Sequence, residues 1–238
     1  MDLTVPERPL AVISGLGAGL GICLASRFAA AGYDIVGLAR SDRVAGRAAA
    51  AVGETGGTYR HVICDITDAA QIRAAVGPIA ARVQVLIHAA HRLVIAPFCE
   101  TSVDDFEAVW KAGCFGAMMV SREIVPAMVS RGGGTIVFSG ATAGLRGGAK
   151  FAAFASAKFA LRGLAQALAR ELSPHGVHVA HVVIDGLIDE PQTSERFGAA
   201  TAKRLDPMAV ADAYLALARQ EPSAWSHEID LRPFSERF

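Results

Sequence analysis

The sequence predicts a single α/β domain, a doubly wound parallel sheet with helices on both faces in three αβα layers. Three observations carry this. Short β-rich runs alternate along the whole chain with longer stretches of helical periodicity. The runs are continuously apolar, as strands covered on both faces require. A glycine-rich turn joins the first run to the first helix. Right-handed crossovers then leave few alternative topologies.

In chain order, LAVISG (10–15) is an apolar run ended by glycine and reads as the first strand, with GLGICLASRFAAAG (19–32) as the first helix. DIVGLA (34–39) and HVICD (61–65) follow as strands, then the alanine-rich helical stretch 68–83. VQVLIHAA (83–90) and GTIVFSG (134–140) are strands rich in β-branched residues, separated by the long apolar helical stretch 102–130. FAAFASAKFALRGLAQALAREL (151–172) is helical, and HVAHVVID (178–185) is the sixth strand. A helix near 207–219 and a strand near 227–232 close the chain. The polar stretch 189–207, which follows the sixth strand, is expected to be a mobile substrate loop.

A length of 238 residues with 52% hydrophobic residues suffices for one core spanning 1–238, without linker, repeat or staple. Lys+Arg 23 against Asp+Glu 23 argues against a nucleic-acid surface or an anionic-membrane anchor. Cys23, Cys64, Cys99 and Cys114 are widely spaced, as expected of reduced thiols. The opening MDLTVPERPL lacks the pattern of a signal peptide, and no run reaches about 18 apolar residues. A cytoplasmic protein without a membrane span is expected. His175, His178 and His181 are regularly spaced, but 178 and 181 fall on opposite faces of a strand, so no metal site is expected.

The turn Ser14-Gly15-Leu16-Gly17-Ala18-Gly19-Leu20-Gly21 has the composition that lets a pyrophosphate approach backbone amides at a helix N-terminus. Together with Asp65 in CDITD, Lys158 in FASAK (154–158) and the segment VIDGLIDEP, it resembles the short-chain dehydrogenase/reductase family nearly end to end. The resemblance implies a Rossmann fold and a nicotinamide cofactor. It implies contacts to that cofactor from Ser14, Gly15, Gly17, Gly19, Leu20, Asp65, Ile66, Ala89, Lys158, Gly186 and Ile188. Arg40 ends the second strand, where an acidic residue would select NAD(H), so NADP(H) is favoured, with Ser41 and Arg43 as helpers. Ala18 stands where the family often has a second basic contact, and NAD(H) stays open.

The catalytic positions depart from the family. Its tyrosine acid is Phe154, which has no proton to give; its serine falls at Ala141 and its asparagine at Gly113. The family's NNAG turn reads His88-Ala89-Ala90-His91. Lys158, Ser139, Thr142 and His91 are the candidate replacements, with Cys114 and Lys150 behind them. Ser139 is expected to share a strand face with Ala141. Two readings follow: an atypical NADP(H)-dependent oxidoreductase acting on a small carbonyl, enone or imine, or a non-redox relative that binds the dinucleotide or performs isomerisation, dehydration or cyclisation. The resemblance also implies a homodimer or homotetramer paired through the long apolar helices.

Overall fold

Strand β1 (Leu10–Ser14) is buried at every position, which is why it reads as an unbroken apolar run. The computed structural model describes residues 8–198 and 204–235. After β1 come α1 (Leu20–Ala30), β2 (Asp34–Ala39), α2 (Ala45–Gly53), β3 (Tyr59–Ile63), α3 (Ala69–Val76) and β4 (Val83–His88). Next are α4 (Val103–Trp110), α5 (Gly116–Arg131), β5 (Gly134–Ser139), α6 (Ala152–Leu172) and β6 (Val177–Ile184). The chain closes with β7 (Leu187–Ile188), α7 (Pro191–Phe197), β8 (Arg204–Leu205), α8 (Pro207–Ala218) and β9 (Glu228–Leu231).

Seven strands form one parallel sheet in the order β3-β2-β1-β4-β5-β6-β9. The order reverses between β1 and β4, and such a switch point opens a crevice at the carboxyl ends of the strands. Each sheet face has its own core. Leu24 and Phe28 of α1, Val52 of α2 and Tyr214 of α8 cover one face. Ile72 of α3, Ile124 of α5 and Leu161 of α6 cover the other. The doubly wound expectation holds.

Four elements differ from the sequence reading. Strand β3 begins two residues earlier than expected and ends at Ile63, leaving Cys64 and Asp65 in the loop beyond it. Helix α2 was not anticipated; its alanine run favours helix, and Ala48 and Val52, one turn apart, bury against α1. The stretch 102–130 is not one continuous α-helix. A π-helical turn at Lys111–Phe115 separates α4 from α5, and Gly113 lies within it against Ala157. By length and composition Val103–Arg131 is apolar enough to cross a membrane. In the fold its apolar stripe, including Val109, Ala117, Val120 and Ile124, is buried in the domain. Finally, 189–207 is not simply a loop: it holds α7 and β8, the latter pairing with β7, while residues 199–203 lie outside the described residues.

The edge strand β9 is fastened by charge. Arg162 of α6 donates from Nε and Nη2 to the two carboxylate oxygens of Glu228, both at 2.7 Å. His181 of β6 meets the same carboxylate at 2.9 Å, and His178, on the opposite face of the strand, stacks on Trp225 at 4.9 Å. The Arg162 bonds, with help from His181, hold the Glu228 carboxyl below its ordinary pKa. A depressed carboxylate pKa contributes stability above the unfolded value, and that stability is lost as pH falls through the folded value. Arg162→Met is therefore expected to cost about 1–3 kcal/mol at pH 7. Chemical denaturation should show the difference between the two proteins shrinking as the pH falls below that of an ordinary glutamate.

Candidate functional site

A cleft of about 1650 Å³ opens at the carboxyl end of the sheet, against roughly 300–1,000 Å³ for an ordinary small-molecule site. One half is built by the first turn. The amides of Gly15 and Leu16 both donate to the Leu38 carbonyl at 3.0 Å, which folds the chain over the end of β2. Gly15 has φ +83, and a Cβ there would lie 2.4 Å from Ala90 Cα, so only glycine permits this close crossing. Gly17 lines the cleft, with open space where its Cβ would project. The turn thus presents bare backbone at the start of α1, whose first amides lack intrahelical partners and attract negative charge. These features fit a dinucleotide diphosphate.

The other cofactor candidates divide. Leu20, Arg40, Asp65, Ile66, Ala89, Lys158, Gly186 and Ile188 all line the cleft. Asp65 has one carboxylate oxygen held by the Thr67 amide at 2.9 Å and its hydroxyl at 2.8 Å, which fixes its orientation. Arg40, Ser41 and Arg43 stand together on the turn after β2. That turn is pinned from below: His61 Nε2 meets the Ser41 carbonyl at 2.9 Å, and His61 Nδ1 meets Tyr59 Oη at 2.7 Å. A carbonyl can only accept, so His61 carries its proton on Nε2. Ser14 is corrected, and Gly19 is covered by another side chain. Ser14 is the last residue of β1 and fully buried, with its hydroxyl 3.2 Å from His88 Nδ1 rather than in the cleft. Gly19 does not line the cleft because Glu190 lies over it.

At the catalytic end, Lys158 is 3% exposed and donates from Nζ to the Ser139 carbonyl at 2.6 Å. Its ammonium sits 5.6 Å from the centroid of the Phe154 ring, and burial lowers its pKa to about 8. His91 packs edge-on against the same ring at 6.3 Å. Its Nδ1 lies 3.3 Å from the Ala89 carbonyl, which assigns the proton to Nδ1 and leaves Nε2 as an acceptor. His91 is exposed at the cleft surface, and the protein packed around it together with the Lys158 cation favours its neutral form. Thr142 lines the cleft but spends its hydroxyl proton on Asp185, which also meets Arg232 at 3.4 Å.

Ser139 is the second kind of correction. The strand ends at this residue, so its face says nothing about Ala141. Its hydroxyl instead accepts from Tyr214 Oη at 2.8 Å, on the α8 side of the sheet. Only its carbonyl serves Lys158. Cys114 is buried in the core, and Lys150 is exposed outside the cleft lining, with its carbonyl accepting from the Ala96 amide. His88 is fully buried, and desolvation, then Lys158, pushes its pKa down to about 3, so it stays neutral.

Sequence reasoning missed Glu190, Tyr214, Asp185 and the Tyr59–His61 support. Glu190 stood inside the VIDGLIDEP segment, four residues after Gly186, but nothing in the sequence said that it reaches α1. Its Oε2 accepts from the Leu20 amide at 3.3 Å. Burial raises its pKa, while the Leu20 bond opposes the rise.

Known proteins agree with this geometry. The family described as short chain dehydrogenase matches residues 9–201. A short-chain reductase protein, NovJ, of Streptomyces niveus is 30% identical over 82% of this chain and 74% of its own. A D-threitol dehydrogenase of Mycolicibacterium smegmatis is 29% identical over 73% of this chain and 68% of its own. The crystal structure of a short-chain dehydrogenase from Rhodopseudomonas palustris superposes with a TM-score of 0.82 at 35% identity, covering 96% of this chain and 100% of that one. At lower identity, which speaks for the fold alone, a metagenomic short-chain oxidoreductase in complex with NADP gives 0.82 and an NAD+-bound xylitol dehydrogenase 0.84. From the first-turn geometry, the strand order and these matches, the chain belongs to the short-chain dehydrogenase family.

Proposed function

We propose that this protein is an NADP(H)-dependent oxidoreductase that transfers hydride to or from a small organic substrate without a tyrosine acid. The observation that carries this reading is Lys158. It is a buried ammonium on the Ser139 carbonyl and over the Phe154 ring, lining the same cleft as the glycine turn. Keeping a charge at 3% exposure is costly, and a binding partner in the cleft accounts for it better than packing does.

A nicotinamide dinucleotide bound here supplies the hydride chemistry. The backbone of Gly17–Leu20 would meet its diphosphate, Asp65 its adenine, and Arg40 with Ser41 and Arg43 the 2′-phosphate that distinguishes NADP(H). Lys158 holds a ribose hydroxyl. Phe154 offers a wall that excludes water where the family has an acid, and His91, neutral with Nε2 as acceptor, orients a water or substrate hydroxyl. General acid catalysis contributes roughly 10²–10⁴-fold where it operates. The chain therefore suits substrates whose acceptor carbon is already electrophilic, such as conjugated enones and iminium ions, better than plain ketones. Lys158 supplies the proton through water.

The second reading, a non-redox protein that binds the dinucleotide, is favoured by one observation. Phe154, Ala141 and Gly113 together remove three of the family's catalytic side chains. Cofactor binding without consumption of NADPH alongside product would support it. Under either reading, Val103, Trp110 and Phe159 on α4 and α6 expose apolar surface that favours pairing of subunits through these helices.

Fluorescence titration with NADPH and NADH tests the cofactor. NADPH is expected to bind the more tightly, and Arg40→Ala should weaken it roughly tenfold while leaving NADH unchanged. Equal loss for both would remove the phosphate role. The pH dependence tests Lys158. Its charge is present below about 8, so NADPH affinity should fall as pH rises through that value. The fall should be absent in Lys158→Met, which binds weakly throughout.

A further inference from the structure

We propose that Glu190 occupies the diphosphate's place in the free protein, so that a dinucleotide enters the cleft only by expelling this carboxylate. The inference rests on the dinucleotide reading above and adds a competitor that belongs to the chain itself.

The geometry is specific to one end of the turn. A Cβ on Gly17 would meet nothing within 4 Å, whereas one on Gly19 would lie 2.1 Å from Glu190 Oε2 and 2.4 Å from Glu190 Cβ. The carboxylate and its stem therefore cover Gly19 and reach the Leu20 amide at 3.3 Å. Helix α1 has no side-chain cap of its own and no acidic residue in its first turn. Its unpaired amides and the positive end of its dipole are the feature that favours a phosphate at such a helix start. Here they are served by a carboxylate 170 residues away in sequence. Two anions cannot share these amides.

Glu190 is also held from its other side. It precedes Pro191 at the start of α7, and its neighbour Asp189 meets Arg204 at 3.2 Å. Arg204 also donates to Ser194 Oγ at 2.8 Å, and Arg196 donates to the Leu93 carbonyl at 3.0 Å. The strap from β7 through α7 thus joins the cofactor half of the cleft to the loop after β4. Moving Glu190 aside pulls on a segment whose Thr193 and Phe197 line the cleft, so cofactor entry and the shape of the substrate half are coupled.

The test compares wild type, Glu190→Gln, which keeps the volume and removes the charge, and Glu190→Ala, which removes both. Calorimetry measures binding of NADPH and of adenosine 2′-monophosphate, which lacks the 5′-phosphates, and melting curves check folding. Glu190→Ala is expected to bind NADPH at least tenfold more tightly than wild type, with Glu190→Gln between them and the monophosphate unchanged. Equal NADPH affinity in all three proteins would overturn the role of Glu190 and leave the cofactor reading standing. Weaker binding in Glu190→Ala would also overturn it, as would equal tightening for the monophosphate, which would reflect a general field rather than competition for the diphosphate. Failure of all three folded proteins to bind NADPH would overturn the cofactor reading, and this proposal with it.

Discussion

Burying an ammonium is expensive, and Lys158 is the charge around which this cleft is arranged. It leaves α6, crosses the Phe154 ring and ends on the carbonyl of the last residue of β5. That bond requires β5 to stop at Ser139 and to present its carbonyl towards α6, while the Ser139 hydroxyl is drawn to Tyr214 on the opposite face. One residue therefore links both layers of helices to the charge. Desolvation, with the same ammonium adding to it, favours the neutral forms of His88 and His91.

Phe154, Ala141 and Gly113 stand where the family resemblance implies a tyrosine, a serine and an asparagine. A π-helical turn contains Gly113, and Thr142 opens the segment after β5. The polar groups nearby are already engaged: Thr142 is committed to Asp185, and His91 to the Ala89 carbonyl. On the proposed reading, the site positions a dinucleotide and a substrate but has few acidic protons to give. This favours reactions in which the acceptor carbon needs little activation.

Much of the fold was legible because parallel strands buried on both faces write themselves as apolar runs, as in β2 and β6. The cleft was legible wherever backbone chemistry dictates residue type, as at Gly15 and Gly17. Side-chain partnerships were not. The hydroxyls of Ser14 and Ser139 turned inward because each found a buried partner, His88 and Tyr214, from a distant part of the chain. Helix α2 was hidden by its short length, and Glu190 by a contact across 170 residues. Periodicity reports burial; it does not report which polar groups meet.

The central claim is that hydride moves through this cleft although Phe154 cannot donate a proton. Single-turnover incubation with NADPH deuterated at the transferring carbon, against a panel of conjugated enones, imines and ketones, tests it directly by mass spectrometry of the product. The account predicts one deuterium in the product for each NADPH oxidised, with enones or imines ahead of ketones. Tight NADPH binding with no deuterium in any product, or a product formed while NADPH stays reduced, would contradict it.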